Sequence, residues 1–174
     1  MIKRELYMNR IRPFIGGELI KVMTGIRRSG KSVMLELIKE ELAEAGVAPS
    51  QMISINFEDM RYSHLQTATA LHDEIIKRAE GIKGKAYLFF DEIQEVEGWE
   101  KCVNSLRVAL DCDIYITGSN AKLLSGELAT YIGGRYVEFV IYPFSFAEFL
   151  ELYHTIAPSD SIQQCFQKYL LAGG

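Results

Sequence analysis

No apolar run in these 174 residues is long enough to span a bilayer, and nothing near the amino terminus resembles a secretory leader. Cysteine is scarce and odd in number: Cys102, Cys112 and Cys165 form no C-x-x-C pair. They read as buried thiols of a reducing compartment, so a cytoplasmic location is expected. The three histidines, His64, His72 and His154, have no metal-ligand spacing with one another or with the cysteines. Positive charge is not in excess either. The net charge of −4 gives no sign of a global nucleic-acid-binding surface and leaves open only a local basic patch. There is no internal repeat and no low-complexity linker. What remains, 48% hydrophobic and 24% charged residues, suits one globular domain with a sizeable core.

One stretch organises the rest. Gly25-Ile26-Arg27-Arg28-Ser29-Gly30-Lys31-Ser32 has the form G-x-x-x-x-G-K-S, a phosphate-binding loop. Residues 19–24 before it read as a short buried strand, and residues 32–45 after it carry apolar residues at helical spacing, with Val33 in the first turn. Gly25 and Gly30 let the backbone curl so that successive N–H groups point into one concavity. The helix N-terminus adds free N–H groups and the positive end of its dipole. Lys31 supplies a compact charge for β- and γ-phosphates, and the Ser32 hydroxyl suits Mg²⁺. Without a nucleotide role, the same residues would make a glycine-rich turn with a solvated lysine.

The chain then alternates. Strands are expected at 52–57, 86–90, 112–116 and 135–142. Helices are expected over 32–45 (burying Met34, Leu35, Ile38, Leu42 and Ala45), from a Ser63/Gln66 capping box to about 81, and from Trp99 to Leu110. Others should run through Leu123, Leu124 and Leu128, from a Ser145/Glu148 capping box, and from Ser161/Gln164. Residues 1–18 read as a lead-in with a short amphipathic helix ending at Pro13, either near an adenine pocket or, the reading preferred, a plain edge helix. Five strands separated by helices imply a doubly wound, mainly parallel α/β sheet over 19–143, with further helices over 144–174.

The apolar run Ala86 to Phe90 must be covered on both faces, and it ends in Asp91-Glu92. A carboxylate at a strand's carboxyl end can hold Mg²⁺, which gives that role to Asp91; Glu92 is placed to orient an attacking water. Paired acids here favour hydrolysis over transfer to an acceptor, although two solvated acids would look the same. Thr117, Ser119 and Asn120 end the next strand, expected between the loop strand and the Asp91 strand. They either sense a γ-phosphate or cap a helix, Ser119 being the better sensor candidate. Arg135, after Gly133-Gly134, is a candidate arginine finger toward a neighbouring subunit, or a surface salt bridge. Arg27 and Arg28 could meet phosphate, solvent or the acids Glu58 and Asp59. No N-K-x-D motif is present, which disfavours GTP.

In order, G-I-R-R-S-G-K-S, Y-L-F-F-D-E-I-Q, I-T-G-S-N, G-G-R and Y-P-F-S-F-A-E-F-L occur in this chain. The set resembles a family of bacterial and archaeal AAA-type ATPases, whose ATPase domain is followed by a winged-helix-like region and a C-terminal domain of uncharacterised function. The likeness runs from about residue 10 to 174. It implies a P-loop NTPase fold of AAA+ type, ATP and Mg²⁺ as ligands, and Gly25 to Ser32 as the Walker A loop. It also implies Asp91-Glu92 as the Walker B pair, Ser119-Asn120 as the sensor region and Arg135 as the finger of a homo-oligomer. Members of that family continue past a G-G-x-P segment, whereas this chain stops at Gly173-Gly174. It is therefore expected to be the ATPase core and the start of a lid, with weak activity of its own. Rival readings are an ATP-dependent switch with negligible turnover, a small-molecule kinase and a DNA-associated ATPase.

Overall fold

The computed structural model describes residues 2–119, 132–157 and 160–172. Five strands, β1 (Ile20–Thr24), β2 (Met52–Asn56), β3 (Ala86–Asp91), β4 (Cys112–Thr117) and β5 (Tyr136–Val140), form one sheet in the order β2-β3-β4-β1-β5. Every pairing is parallel. The loop strand β1 thus has β4 on one side and β5 on the other, and β4 separates it from β3, as expected for such a sheet. Parallel strands need crossovers, and helices α1 (Glu5–Ile11), α2 (Lys31–Glu44), α3 (Ala68–Ala79) and α4 (Trp99–Ala109) cover the two faces. The expected helix through Leu123, Leu124 and Leu128 lies outside the described residues.

Side-chain alternation divides the core in two. Leu88 and Phe90 with Ile114 and Ile116 pack under α3 and α4, around Leu71, Ile75, Trp99 and Val103. Their neighbours Phe89 and Tyr115 face the other way, stack with ring centroids 4.9 Å apart, and pack with Met34, Ile38 and Ile11 of α2 and α1. The apolar run of β3 is continuous because both of its faces are covered. All three cysteines are free and buried; burial pushes the Cys102 thiol up to about 12.

One polar cluster lies inside this core. Lys21 and Asp113 are fully buried, with Nζ 2.5 Å from Oδ1. Lys21 also donates to the Gly17 carbonyl at 3.0 Å, and Asp113 Oδ2 accepts from the Gly16 N–H and the Tyr115 hydroxyl, each at 2.7 Å. Burial pulls the Lys21 ammonium below its ordinary value, and Asp113 opposes that shift. The cluster fastens the lead-in to the amino-terminal edge of the sheet.

Helix α2 begins after Gly30 and ends at Glu44, and the φ of 91° at Gly46 allows its N–H and that of Val47 to close back on Ala43 and Leu42. Leu37 joins its buried stripe, while Ala45 is exposed. The expected capping box at Ser63 and Gln66 does not start α3. Residues Met60–Leu65 form a 3-10 turn capped by Asp59, and α3 starts at Ala68 behind Thr67. The reason is tertiary: Gln66 O accepts from Glu97 N–H and Ala68 N–H donates to Glu97 O, both at 2.9 Å, which holds Thr67 between them extended. The later boxes do form. Ser145 and Glu148 cap α5 (Phe146–Ile156), and Ser161 and Gln164 bond at the start of α6 (Ile162–Ala172). These two helices meet through Phe146, Phe166 and Tyr169, with centroids 5.1 and 5.5 Å apart.

Candidate nucleotide site

The carboxyl ends of β1, β4 and β3 lie side by side, and each carries part of the candidate site. From β1 the chain turns through Gly25 at φ 149° and Gly30 at φ 93°. Arg28 between them also takes a left-handed backbone, at φ 66°. Lys31 is the first residue of α2 and is 5% exposed. Its Nζ donates to the carbonyls of Gly25 and Ile26 at 3.3 Å each, so the ammonium is tied into the loop's own curl. Ser32 and Val33 follow on the exposed side of the first turn.

β3 ends at Asp91, 6% exposed, and β4 ends at Thr117, fully buried. The Thr117 hydroxyl donates to Asp91 Oδ1 at 2.5 Å and accepts from the Glu92 N–H at 3.0 Å. That one hydroxyl holds the Asp91 carboxylate and the backbone of Glu92. Glu92 takes a left-handed backbone at φ 55°, which turns its carboxylate toward the loop. Its Oε1 lies 3.5 Å from Lys31 Nζ, and its Oε2 accepts from Gln94 at 2.6 Å. A cleft of about 410 Å³ opens here, lined by Arg27, Arg28, Gly30, Lys31, Ser32, Val33, Glu58 and Glu92.

Donor chemistry in the cleft fits a polyphosphate with a divalent cation. The glycine backbone admits close approach, Lys31 and the start of α2 supply positive potential, and Ser32 and Asp91 are hard oxygen ligands. The other candidates lie as follows. Arg27 reaches Glu58 at 3.8 Å from an exposed position. Ser119 is half-buried just past β4, on the same edge of the sheet as the loop. Asn120 lies outside the described residues. Arg135 precedes β5, so it lies at the opposite edge, its carbonyl bonded to Ile20 N–H and its guanidinium 3.5 Å from Asn104. With β1 between them, Arg135 and Gly25 are separated by roughly 16 Å, at about 3.3 Å per residue. Arg135 does not join the cleft of its own chain.

Two contributors were not legible in the sequence. Thr117 stood out as a sensor or cap, not as the bracket of the acid pair. Arg4, read as part of a plain edge helix, is 2% exposed and donates to the Ser29 carbonyl at 2.7 Å. Only its place among alternating charges could have drawn notice, and that pattern fits a solvated helix equally well.

Comparison with known proteins agrees with this geometry. An uncharacterised protein of Haemophilus influenzae is 44% identical over all 174 residues, which make up 44% of its length. An uncharacterised protein of Methanocaldococcus jannaschii is 41% identical over 133 residues, 76% of this chain and 28% of that protein. The chain therefore spans less than half the length of either relative. Among solved structures, the Aeropyrum pernix ORC1 protein in complex with DNA superposes with a TM-score of 0.60 at 18% identity, over 91% of this chain and 50% of that one. AMPPCP-bound DnaA from Aquifex aeolicus gives 0.54 at 14%, over 90% of this chain and 50% of that one. These likenesses show the P-loop α/β fold of AAA+ type. A family model described as an AAA domain matches residues 18–150, and the chain belongs to that family.

Proposed function

We propose that this domain binds ATP with Mg²⁺ and hydrolyses it. The observation that carries the proposal is the meeting of Lys31 with Glu92 at 3.5 Å, in a cleft lined by the glycine loop that follows one strand and by Glu92, which follows the Asp91 that ends another. Loop N–H groups from Ile26 to Ser32 and the Lys31 ammonium bind the β- and γ-phosphates. Ser32 and Asp91 hold the cation, which when bound would neutralise charge on the phosphate oxygens. Glu92 orients the attacking water and Ser119 contacts the γ-phosphate. Arg135, exposed at the far edge of the sheet and away from the cleft of its own chain, serves a neighbouring subunit. The relatives' greater length supports a further role in the whole protein, where hydrolysis would drive motion of an effector domain. Three buried, unpaired thiols suit a cytoplasmic home.

The test is an ATP titration with and without Mg²⁺, followed by phosphate release. Lys31→Ala is expected to weaken ATP binding at least about tenfold, the worth of a charge-assisted contact. Glu92→Gln is expected to stop phosphate release while ATP binding stays equal or tightens, because Lys31 loses a competing carboxylate. Binding indifferent to Lys31→Ala would refute the assignment. Binding without release in the wild type would leave a nucleotide switch.

A further inference from the structure

Arg4 connects three segments that are far apart in the chain. Its backbone is left-handed, at φ 44°, a conformation that non-glycine residues rarely adopt. From there the guanidinium donates to the Ser29 carbonyl through Nη1 at 2.7 Å, to the Tyr142 carbonyl through Nη2 at 2.7 Å, and to Glu148 Oε1 through Nε at 2.8 Å. Tyr7 and Phe144 flank it, their ring centroids 4.7 and 5.0 Å from the guanidinium carbon. Glu148 also accepts from the N–H and hydroxyl of Ser145, at 2.8 and 2.9 Å, so the same carboxylate closes the start of α5.

The contact to Ser29 has a direct consequence for the loop. In a trans peptide the carbonyl and the next N–H point in opposite directions. Fastening the Ser29 carbonyl to Arg4 therefore turns the Gly30 N–H away from Arg4, to the other side of the loop backbone. Gly30 is also closely bounded by the arginine, since a Cβ there would lie 2.9 Å from Arg4 Nη1.

We propose that Arg4 is a positioning residue of the nucleotide site: it sets the Ser29–Gly30 peptide for phosphate contact and, through Glu148, ties the loop to the first turn of α5. This rests on the ATP reading above and adds to it a route from the loop to the chain that follows the sheet. Planar, forked donors are what the role requires, because the three acceptors are met by three different nitrogens of the guanidinium, and a lysine would have to reach all of them from a single nitrogen.

The experiment uses the whole chain as wild type, Arg4→Ala, Arg4→Lys and Glu148→Gln. Thermal unfolding, Mg-ATP titration, and hydrogen exchange with and without ATP are measured on each. Arg4→Ala should weaken ATP about tenfold, with Arg4→Lys recovering part of the loss. ATP should slow exchange at the Glu148 and Phe149 amides in the wild type, and that slowing should shrink in Glu148→Gln while its ATP affinity stays within about threefold. An arginine that merely held the fold together would loosen those amides equally with and without ATP. Should Arg4→Ala fail to fold, Arg4→Lys and Glu148→Gln decide: wild-type affinity together with wild-type ATP-dependent slowing in both overturns the proposal. If the wild type binds no ATP, the nucleotide reading falls by itself. Exchange of loop amides 26–32 without nucleotide then still tests Arg4, faster exchange in Arg4→Lys sustaining it as the loop's anchor and unchanged exchange overturning it.

Discussion

Gly25→Ala isolates the first turn of the loop. Gly25 has φ 149°, and a Cβ built on it would lie 2.2 Å from the Ile141 carbonyl oxygen and 2.8 Å from Ser29 Oγ. The carbonyl has little freedom to withdraw. Ile141 N–H donates to Thr24 O at 2.7 Å, and Thr24 pairs with Val140 at the end of the β1–β5 ladder. A dihedral of this kind on a side-chain-bearing residue costs about 1–3 kcal/mol, and overpacking adds about 1–3 kcal/mol more. Taking about 3–5 kcal/mol together, at about 2–4 °C per kcal/mol for a chain of this size, thermal unfolding should fall by roughly 6–20 °C. Gly46→Ala is the control. Gly46 has φ 91° but no neighbour within 4 Å, so it should lose only about 1 kcal/mol, or about 2–4 °C. Calorimetry or circular dichroism on the two variants separates steric contact from backbone strain. If Gly25→Ala melts alongside Gly46→Ala, the close approach of loop and β5 is not rigid and the reasoning fails.

Other perturbations have equally defined outcomes. Thr117→Val keeps the shape of the side chain but leaves the Glu92 N–H without its acceptor and Asp91 without its donor, so urea unfolding should show a loss of about 1–3 kcal/mol. Lys21→Met strands a buried Asp113 carboxylate and should destabilise by about 3–5 kcal/mol, with Lys21→Met/Asp113→Asn recovering much of it; equal losses in the two variants would contradict a coupled pair. Burial opposes ionisation of Glu148, but its bonds from Arg4 and Ser145 outweigh that and leave the carboxyl below its ordinary 4.5. Its folded-state pKa is therefore the lower one. Its contribution is present above pH 4.5 and is lost as pH falls through the depressed value. Urea midpoints taken from about pH 6 down to about pH 3 should drop less steeply in Glu148→Gln than in the wild type.

Contiguous patterns carried most of what could be read in advance. The glycine loop, the acid pair after an apolar run and the amphipathic stripe from Trp99 each occupy neighbouring residues, and local periodicity exposes them. Contacts between distant residues were illegible. Lys21 sits in a strand that reads as apolar, and its partner Asp113 lies 92 positions away. Arg4 meets residues 25, 138 and 144 positions on, so no window along the chain could pair them. The Ser63/Gln66 pattern misled because pairing of residues 66–68 with Glu97 overrides a local cap. Arg135 illustrates a related gap: residue type and a preceding Gly-Gly suggest a role, but only the sheet shows which edge the side chain occupies.

The position of β1 between β4 and β5 also has a consequence for biosynthesis. Its neighbours arrive late: Lys21 pairs with Tyr115, 94 residues further on, and with Val137, 116 residues further on. At about 5–20 residues per second, a ribosome would hold the strand that bears the loop unpartnered for several seconds after it emerges. β2 and β3, which pair with each other, can associate well before β1 finds either neighbour. The loop is therefore among the first parts of the protein to be made and among the last to be assembled, and a nascent chain stopped before residue 112 carries the motif without either of the strands that flank β1.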